Sequence, residues 1–325
     1  MNPKMTSADA AKCLKKSEAW IHAALQERNL SFVRAQNQFY FGHDTAKQLF
    51  NFLFDPRIIV CQIVKGGTGK TSLVYEFAIR ASLYGAKVLC IDMDQQGNLT
   101  HAFNKDAEVL PVMVDVLADN YPIQDSIVEV APGLHLLPSR FENAMLDEVI
   151  RVKKIPLEKV YRTLLWPLKA HYDVIIIDCP PSLGQSVAAC ALAGDYVVAP
   201  VTPEKFALLG FDITCQSIKE LQEAYHINIP LGIVINKFDS RTTLSQSALK
   251  HLMQDPSVKD KLLKSYIRMS QEFPNAISKN QSIFDIVKYS SAKEDIDHFT
   301  RELLGLEGDI YKPKAFREKK EVCIA

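Results

Sequence analysis

The sequence KGGTGKT at Lys65–Thr71 follows an apolar run, Ile58–Val64, and precedes a helical pattern that extends to about Tyr84. Glycines let backbone N–H groups come close to a bound phosphate, and the start of a helix adds the positive end of its dipole. The pattern therefore predicts a phosphate-binding loop between a buried strand and a helix. The residues expected to bind the nucleotide there are Lys65, Gly66, Gly67, Thr68, Gly69, Lys70, Thr71 and Ser72.

Two side chains of this loop have direct roles in such sites. We expect Lys70 to reach the β- and γ-phosphates of a nucleotide and the Thr71 hydroxyl to bind Mg²⁺. The common Walker pattern has glycine at the position of Val64, so this chain departs from it. It has instead a second lysine, Lys65, at the start of the loop, which is the mark of the deviant form of the motif.

On both sides of the loop, short apolar runs alternate with helical stretches. Continuous apolar runs are typical of parallel strands buried on both faces. Their alternation with helices predicts a doubly wound, mostly parallel sheet, and with the phosphate loop an α/β fold of the P-loop NTPase class. Sites in such sheets lie beyond the carboxyl ends of the strands. The predicted strands are Ile58–Val64, Lys87–Ile91, Leu134–Pro138, Asp173–Cys179, Asp195–Val201 and Pro230–Asn236.

Carboxylates follow two of these strands. Asp92 and Asp94 end the second one, and side chains two residues apart point to the same side of an extended chain. Asp178 ends the apolar run Val174–Ile177, where a carboxylate can bind Mg²⁺ directly or through water. A buried carboxylate is costly unless it is paired or lies near a metal ion. We therefore predict that these acids face the phosphate loop; the alternative is that they are acids of surface turns.

Taken together, these motifs resemble the ParA/MinD family of deviant-Walker ATPases over roughly residues 57–305. The resemblance rests on the phosphate loop, on the segment Asp92–Asn98 and on the segment Asp178–Ser182. Gln95 stands where the family usually has proline, which puts the shape of that loop in doubt more than its carboxylates.

The resemblance implies roles for individual residues. Lys65 would cross a dimer interface to the phosphates of the partner's ATP, although a contact within its own chain or a solvated lysine is the alternative. Asp94 would orient the attacking water, and Asp92 would support the Mg²⁺ shell or the loop. The base would lie near Pro200, and near Asn236, whose amide can both donate to and accept from adenine. Turn-forming residues are the alternative for the last two.

The relatives within this family differ outside the shared motifs. A MinD-like positioning ATPase would end in an amphipathic membrane helix, whereas residues 311–325 form a charged tail with no apolar face. Cluster-binding relatives need thiolates at set positions, and Cys179 is expected to be a core thiol. Partition proteins of larger plasmids carry an N-terminal DNA-reading module, which residues 1–55 resemble.

Residues 1–55 are predicted to form a small helical module that resembles a winged helix-turn-helix. Ser7 and Ser17 are expected to cap its first two helices, and a short hairpin is expected between Ser31 and Phe41. The module has seven basic and five acidic side chains, which is a thin electrostatic basis for DNA binding, so a dimerisation arm is the alternative. The predicted DNA contacts of the module are Lys15, Lys16, Ser17 and Arg34.

A second DNA-binding surface is predicted between Val258 and Lys293, where seven basic side chains stand against three acidic ones. The stretch Tyr266–Pro274 resembles a family segment whose arginine grips DNA nonspecifically in the ATP-bound dimer. Lys264 and Arg268 are the predicted contacts. A helical surface with ordinary solvated lysines is the alternative.

The composition sets limits on the whole chain. Lys+Arg and Asp+Glu are balanced at 38 each, so any attraction to DNA must come from local patches. Seven scattered cysteines indicate reduced thiols in the cytoplasm. A change of pattern at Asp55-Pro56 predicts a boundary between the N-terminal module, 1–55, and an ATPase domain, 56–310, followed by the tail, 311–325.

The sequence thus predicts a cytoplasmic, nucleoid-associated ATPase with ATP and Mg²⁺ as ligands. ATP would drive homodimer formation and nonspecific DNA binding, and a ParB-like partner would stimulate slow hydrolysis. Such a protein would segregate plasmid or chromosomal DNA and could also repress its own operon. The alternatives are a transcriptional repressor that uses ATP or ADP only as a conformational ligand, and a MinD-like positioning ATPase.

Overall fold

The computed structural model describes residues 2–35, 38–203, 205–286 and 288–306 of the chain. The predicted charged tail, 311–325, lies outside these residues. The N-terminal part forms a small antiparallel sheet with helices, and its strands pair in the order first, third, second. Its elements are β1 (Met5–Thr6), α1 (Ser7–Leu14), α2 (Glu18–Glu27), β2 (Val33–Ala35), β3 (Gln38–Phe41) and α3 (His43–Phe50).

Side-chain caps fix where the first two helices begin. The Ser17 hydroxyl accepts a hydrogen bond from the Trp20 N–H at 3.1 Å, so α2 begins at the predicted cap. The predicted cap of α1 is wrong. Thr6, rather than Ser7, accepts from the Asp9 N–H at 3.0 Å, and Ser7 is already helical and buried.

An eight-stranded sheet forms the centre of the protein. Its strand order is β11-β10-β9-β4-β8-β5-β7-β6, in which β4 is Arg57–Cys61, β5 Val88–Asp92, β6 Val128–Ala131, β7 Leu134–Leu137, β8 Val174–Asp178, β9 Tyr196–Val201, β10 Leu231–Phe238 and β11 Leu262–Arg268. Every neighbouring pair is parallel except β6 and β7. The predicted α/β fold with a mostly parallel sheet is therefore confirmed.

Helices cover both faces of this sheet, which explains why its central strands are apolar throughout. Alternate residues of a strand point to opposite faces. Ile59 and Ile176 pack on the face covered by α4 and α14, whereas Ile58 and Ile177 pack on the face covered by α6, α7 and α9. The helices after α3 are α4 (Lys70–Leu83), α5 (Asn98–Ala102), α6 (Met113–Asp119), α7 (Leu146–Lys153), α8 (Arg162–Leu165), α9 (Gln185–Ala193), α10 (Lys205–Tyr225), α11 (Thr243–Gln254), α12 (Pro256–Lys259), α13 (Glu272–Ile277) and α14 (Ser291–Leu303).

The N-terminal module shares its hydrophobic core with the α4 face of the sheet. The Phe50 and Tyr84 rings lie 5.8 Å apart, and the His43 Nδ1 is 2.9 Å from the Ser82 carbonyl oxygen. Gly85 has φ +87°, and a Cβ there would lie 2.5 Å from the Lys47 Cα. The end of α4 therefore needs glycine to let α3 approach. The boundary predicted at Asp55-Pro56 separates segments of the chain that have one common core.

Two strands of the sheet are missing from the predicted set. β6 is a short antiparallel edge strand, and β11 is the parallel strand at the opposite edge. In β11 the buried Ser265 and Ile267 alternate with the exposed Lys264 and Tyr266, which is the pattern of a strand with one buried face. Lys264 and Arg268 consequently lie on a strand and not on the helical surface considered as an alternative.

Candidate nucleotide-binding site

A cleft of 1030 Å³ lies at the carboxyl ends of the central strands. The loops after β4, β5 and β8 and the end of β10 form one side, and the chain from the end of β11 through α13 forms the other. The cleft has both polar and apolar walls and is large enough for a nucleotide. The predicted site residues that line it are Gly66, Gly67, Gly69, Lys70, Thr71, Ser72, Asp94, Asn236 and Arg268.

The phosphate loop leads directly into α4. Gly67 and Gly69 have φ values of +76° and +87°, a conformation that favours glycine. At Gly69 a Cβ would lie 2.5 Å from the Asn236 amide nitrogen, so this position also needs the missing side chain. Lys70 is the first residue of the helix and is 7% exposed, which places its ammonium group and the helix N-terminus at the same end of the cleft.

Asp178 is a buried carboxylate at the end of β8. Neither of its oxygens forms a hydrogen bond of regular geometry among the described residues, although the Thr71 hydroxyl is close enough to lower its pKa. Burial, with the neighbouring charge of Asp92, raises the pKa of Asp178 to about 8, and the nearby Thr71 hydroxyl and Lys70 ammonium oppose this shift only in part. A buried carboxylate without a regular hydrogen bond, next to a threonine hydroxyl, fits a magnesium site, because Mg²⁺ takes oxygen ligands.

Asp92 differs from Asp178 because its oxygens are already engaged. It accepts hydrogen bonds from the Thr100 N–H at 2.9 Å, the Thr100 hydroxyl at 2.7 Å and the Asp94 N–H at 3.2 Å. Burial raises the pKa of Asp92, and these hydrogen bonds oppose the rise. The resulting pKa is about 6. Of the two roles expected for Asp92, support of the loop is the one that these contacts favour.

Asp94 lines the cleft next to this loop. Its Oδ1 accepts from the Gln96 N–H at 3.0 Å, and its carbonyl oxygen accepts from the Ser139 hydroxyl at 2.7 Å. Sequence reasoning missed Ser139 and Thr100, since neither belongs to a motif and both reach the acids through the fold.

Three predicted nucleotide contacts do not line the cleft: Thr68, which is buried within the phosphate loop, and Lys65 and Pro200. Lys65 is half-buried beside α10, where a Cβ on Gly210 would be 2.9 Å from the Lys65 Cβ. Pro200 is buried within β9 opposite Val234. Pro200 is therefore not brought to the cleft that contains the phosphate loop.

Asn236 lines the cleft, but its amide bonds to the protein itself. Its Nδ2 donates to the Thr68 carbonyl oxygen at 2.7 Å, and its Oδ1 accepts from the Lys237 N–H at 2.9 Å. Recognition of adenine by this side chain stays a prediction. Sequence reasoning missed Lys237, which also lines the cleft and bonds to the phosphate loop.

Metal binding by protein groups alone is not indicated. The described ranges contain no group of three or more His, Cys, Asp or Glu side chains placed to hold an ion. This is compatible with Mg²⁺, which usually binds one or two protein groups together with phosphate oxygens and water.

Comparison with known proteins gives the family. A family model described as an AAA domain matches residues 56–233. The sporulation initiation inhibitor protein Soj of Bacillus subtilis is 31% identical over 232 residues, which cover 70% of this chain and 90% of Soj. This chain belongs to the ParA family. Its relatives include a chromosome-partitioning ATPase, Soj of Treponema pallidum, which is 28% identical over 252 residues that cover 75% of this chain and 95% of that protein.

Solved structures agree with the ParA assignment. A plasmid partition protein from Borrelia burgdorferi bound to AMPPNP has a TM-score of 0.64 and 25% identity, with 77% of this chain and 99% of that chain covered. A protein named cobyrinic acid a,c-diamide synthase, from Mycobacterium smegmatis with bound ATP analogue and magnesium, has a TM-score of 0.67 and 26% identity, covering 76% and 94%.

The N-terminal DNA contacts predicted for this ParA protein are on its surface. Lys15, Lys16, Ser17 and Arg34 are exposed. The Lys16 ammonium lies 5.7 Å from the centre of the Trp20 ring, and the Arg34 guanidinium lies 5.8 Å from the centre of the Phe39 ring. The Ser17 hydroxyl caps α2.

The second predicted DNA surface has a different environment. Arg268 Nη2 lies 2.5 Å from Asp295 Oδ1 and 3.2 Å from Glu294 Oε2, so two carboxylates of α14 already partner its guanidinium. Lys264 is exposed, and its N–H donates to Glu302.

Among the helices that the structure describes, none has the length and apolar character that a membrane span requires.

Proposed function

We propose that this chain is an ATP-dependent partition ATPase that dimerises on ATP, binds DNA nonspecifically and hydrolyses ATP slowly. The observation that carries the proposal is the convergence of Lys70, Thr71 and Asp94 on one cleft, with the carboxylate of Asp178 buried beside them. A structural role alone does not explain a buried carboxylate that lacks a hydrogen bond of regular geometry.

The site residues divide the chemistry among them. Lys70 and the helix N-terminus balance the charge of the nucleotide phosphates. Thr71 and Asp178 would hold Mg²⁺, which neutralises the charge that develops on the phosphate oxygens. Asp94 is proposed to orient the attacking water, and Asp92 to hold the loop that carries Asp94.

Dimer formation and DNA binding are proposed from the family. Lys65 is proposed, from the family resemblance, to reach the partner's ATP; it is not among the residues that line the cleft of its own chain. The DNA contacts are proposed at Lys264 and Arg268 for nonspecific binding, and at the N-terminal module, 1–55, for an operator. A ParB-like protein would stimulate hydrolysis, in the cytoplasm on the nucleoid.

The test is ATP turnover by the purified protein, measured alone, with DNA, and with both DNA and a ParB-like centromere-binding protein. We expect slow basal hydrolysis that rises in the presence of both. A repressor that uses ATP only as a conformational ligand would bind its operator without stimulated turnover. That result would refute the partition function.

A further inference from the structure

Two neighbouring side chains at the end of β10 hold two consecutive carbonyl groups of the phosphate loop. Asn236 Nδ2 donates to the Thr68 carbonyl oxygen at 2.7 Å, and Lys237 Nζ donates to the Gly67 carbonyl oxygen at 2.8 Å. The same side chains line the cleft. We call this pair, Asn236 and Lys237, the β10 clamp.

The backbone of Lys237 is specialised for this contact. Its φ is +56°, in the left-handed region that residues with a Cβ rarely adopt. The Asn236 Oδ1 accepts from the Lys237 N–H at 2.9 Å and so stabilises the turn locally. A disfavoured conformation in a residue that lines a site points to a function of that residue.

Packing alone does not restrain the tip of the phosphate loop. A Cβ built on Gly66 or Gly67 would meet nothing within 4 Å, and both residues are exposed. Glycines have wide conformational freedom, so an unrestrained loop of this kind would lose entropy on binding phosphate. The β10 clamp contacts this part of the loop directly and so restrains it.

Fixing the carbonyl groups also fixes the adjacent N–H groups. A trans peptide is planar, and its C=O and N–H point in opposite directions. The carbonyl of Gly67 shares a peptide with the N–H of Thr68, and the carbonyl of Thr68 shares one with the N–H of Gly69. Both N–H groups are therefore turned away from the β10 clamp.

We propose that Lys237 is a positioning residue for phosphate binding. It acts through the Gly67 carbonyl, and it orients the loop N–H groups before the nucleotide arrives. This inference rests on the proposed function, because it assumes that the loop binds nucleotide phosphates. Asn236 does the same for the next peptide, so its amide serves phosphate binding, whereas its contact with adenine stays a prediction.

The test compares nucleotide affinities of the full chain by calorimetry with Mg²⁺ present. Lys237→Met keeps the aliphatic stem and removes the ammonium group, and Lys237→Asn removes the stem but suits a left-handed backbone. Both should weaken ADP and ATP by the same factor, roughly tenfold or more, as for loss of a charged hydrogen bond. AMP should bind almost as before. Lys237→Arg should restore part of the affinity.

A matched control is Lys250→Met, which removes an exposed lysine of α11. It should leave all three affinities unchanged. The Lys237 ammonium group is exposed, so the variants should unfold at the wild-type temperature. This separates a change in the site from a loss of folding.

The other outcomes have definite meanings. A much larger loss for ATP than for ADP would make Lys237 a direct γ-phosphate ligand and overturn the positioning role. An equal loss for AMP would make it a contact to the base or sugar, which overturns that role too. If the wild-type protein binds ATP and the Lys237 variants bind it equally well, the clamp alone is refuted. If the wild-type protein binds no nucleotide, the proposed function is refuted too.

Discussion

Glu76 is a buried carboxylate on α4, the helix that begins at Lys70. Its Oε2 accepts from the Ser282 hydroxyl at 2.6 Å and its Oε1 accepts from the Ile283 N–H at 3.2 Å. These contacts join α4 to the chain that follows α13. The helix α13 forms part of one wall of the cleft. We predict that Glu76→Gln, which keeps the shape and carries no charge, makes stability less sensitive to pH.

The sign and size of this pH dependence of the free energy of unfolding follow from the pKa of Glu76. Burial raises it from the usual 4.5 to about 8, the charge of Asp285 adds to this, and the hydrogen bonds from Ser282 and Ile283 and the charge of Lys293 oppose it. The folded protein binds this proton more tightly than the unfolded chain. The stabilisation that this bound proton contributes is therefore complete below pH 4.5. It falls by on the order of 5 kcal/mol as the pH rises towards 8.

The assay is urea denaturation at several pH values between about 5 and 8. We expect the wild-type free energy of unfolding to fall by a few kcal/mol more than that of Glu76→Gln over this range. The amide can still accept from Ile283 and donate to the Ser282 oxygen, so the variant should fold.

The control is Glu148→Gln, which changes an exposed glutamate of α7 that is paired with Arg151. It should leave the pH dependence close to that of the wild type, because exposed pairs contribute little. Parallel pH curves for the wild type and Glu76→Gln would show that Glu76 does not carry the proton. The reasoning from its burial would then be refuted.

Four further predictions concern the proposed activity. Lys70→Ala should abolish nucleotide binding, whereas Lys65→Ala should keep ADP binding and lose ATP-dependent dimers. Calorimetry measures the binding and light scattering the dimers. An equal loss of ADP affinity in both variants would mean that Lys65 acts in the site of its own chain. Asp94→Ala should dimerise on ATP but hydrolyse it about 10²-fold more slowly in a phosphate-release assay, and normal turnover would contradict its role. Arg268→Ala should weaken binding to all DNA sequences and flatten the dependence of log affinity on log salt by about one unit per contact; an unchanged slope would exclude it. Deletion of 1–55 should lower the unfolding temperature because α4 loses core contacts, and an unchanged temperature would contradict the shared core.

The sequence predicts the central fold well because local pattern and global structure agree there. The strand β8 is buried along its whole length, and Gly67 and Gly69 of the phosphate loop have positive φ values that favour glycine. Motifs that sit at strand ends necessarily meet at one edge of a parallel sheet. The amino-acid sequence alone therefore suffices to bring Lys70, Thr71 and Asp94 to one site.

The parts that could not be predicted depend on contacts between distant segments. Ser139 supports the acidic loop from a distant part of the chain and Thr100 supports it from the helix that follows the loop, and no local pattern marks either residue. The family resemblance predicts Pro200 near the base, because a strand end lies there in the family. In this structure Pro200 is buried within β9 and does not line the cleft. The DNA contact of Arg268 stays a prediction, but the sequence does not show that Asp295 and Glu294 partner its guanidinium, since these carboxylates become its neighbours only through the packing of α14 on β11.

The same reasoning changes how the N-terminal module should be tested. The Asn2 N–H donates to Asp285 at 2.5 Å, and the Lys4 N–H donates to the Phe284 carbonyl oxygen at 3.1 Å. The N-terminal strand is thus tied to the turn at 282–285 that Glu76 holds from α4. Removing the module would disturb the helix that carries Lys70, so a loss of ATPase activity in a truncated protein would not report on DNA reading. Substitution of exposed side chains avoids this: Lys16→Ala and Arg34→Ala should weaken operator binding while nucleotide binding and the unfolding temperature stay unchanged, because neither side chain belongs to the shared core.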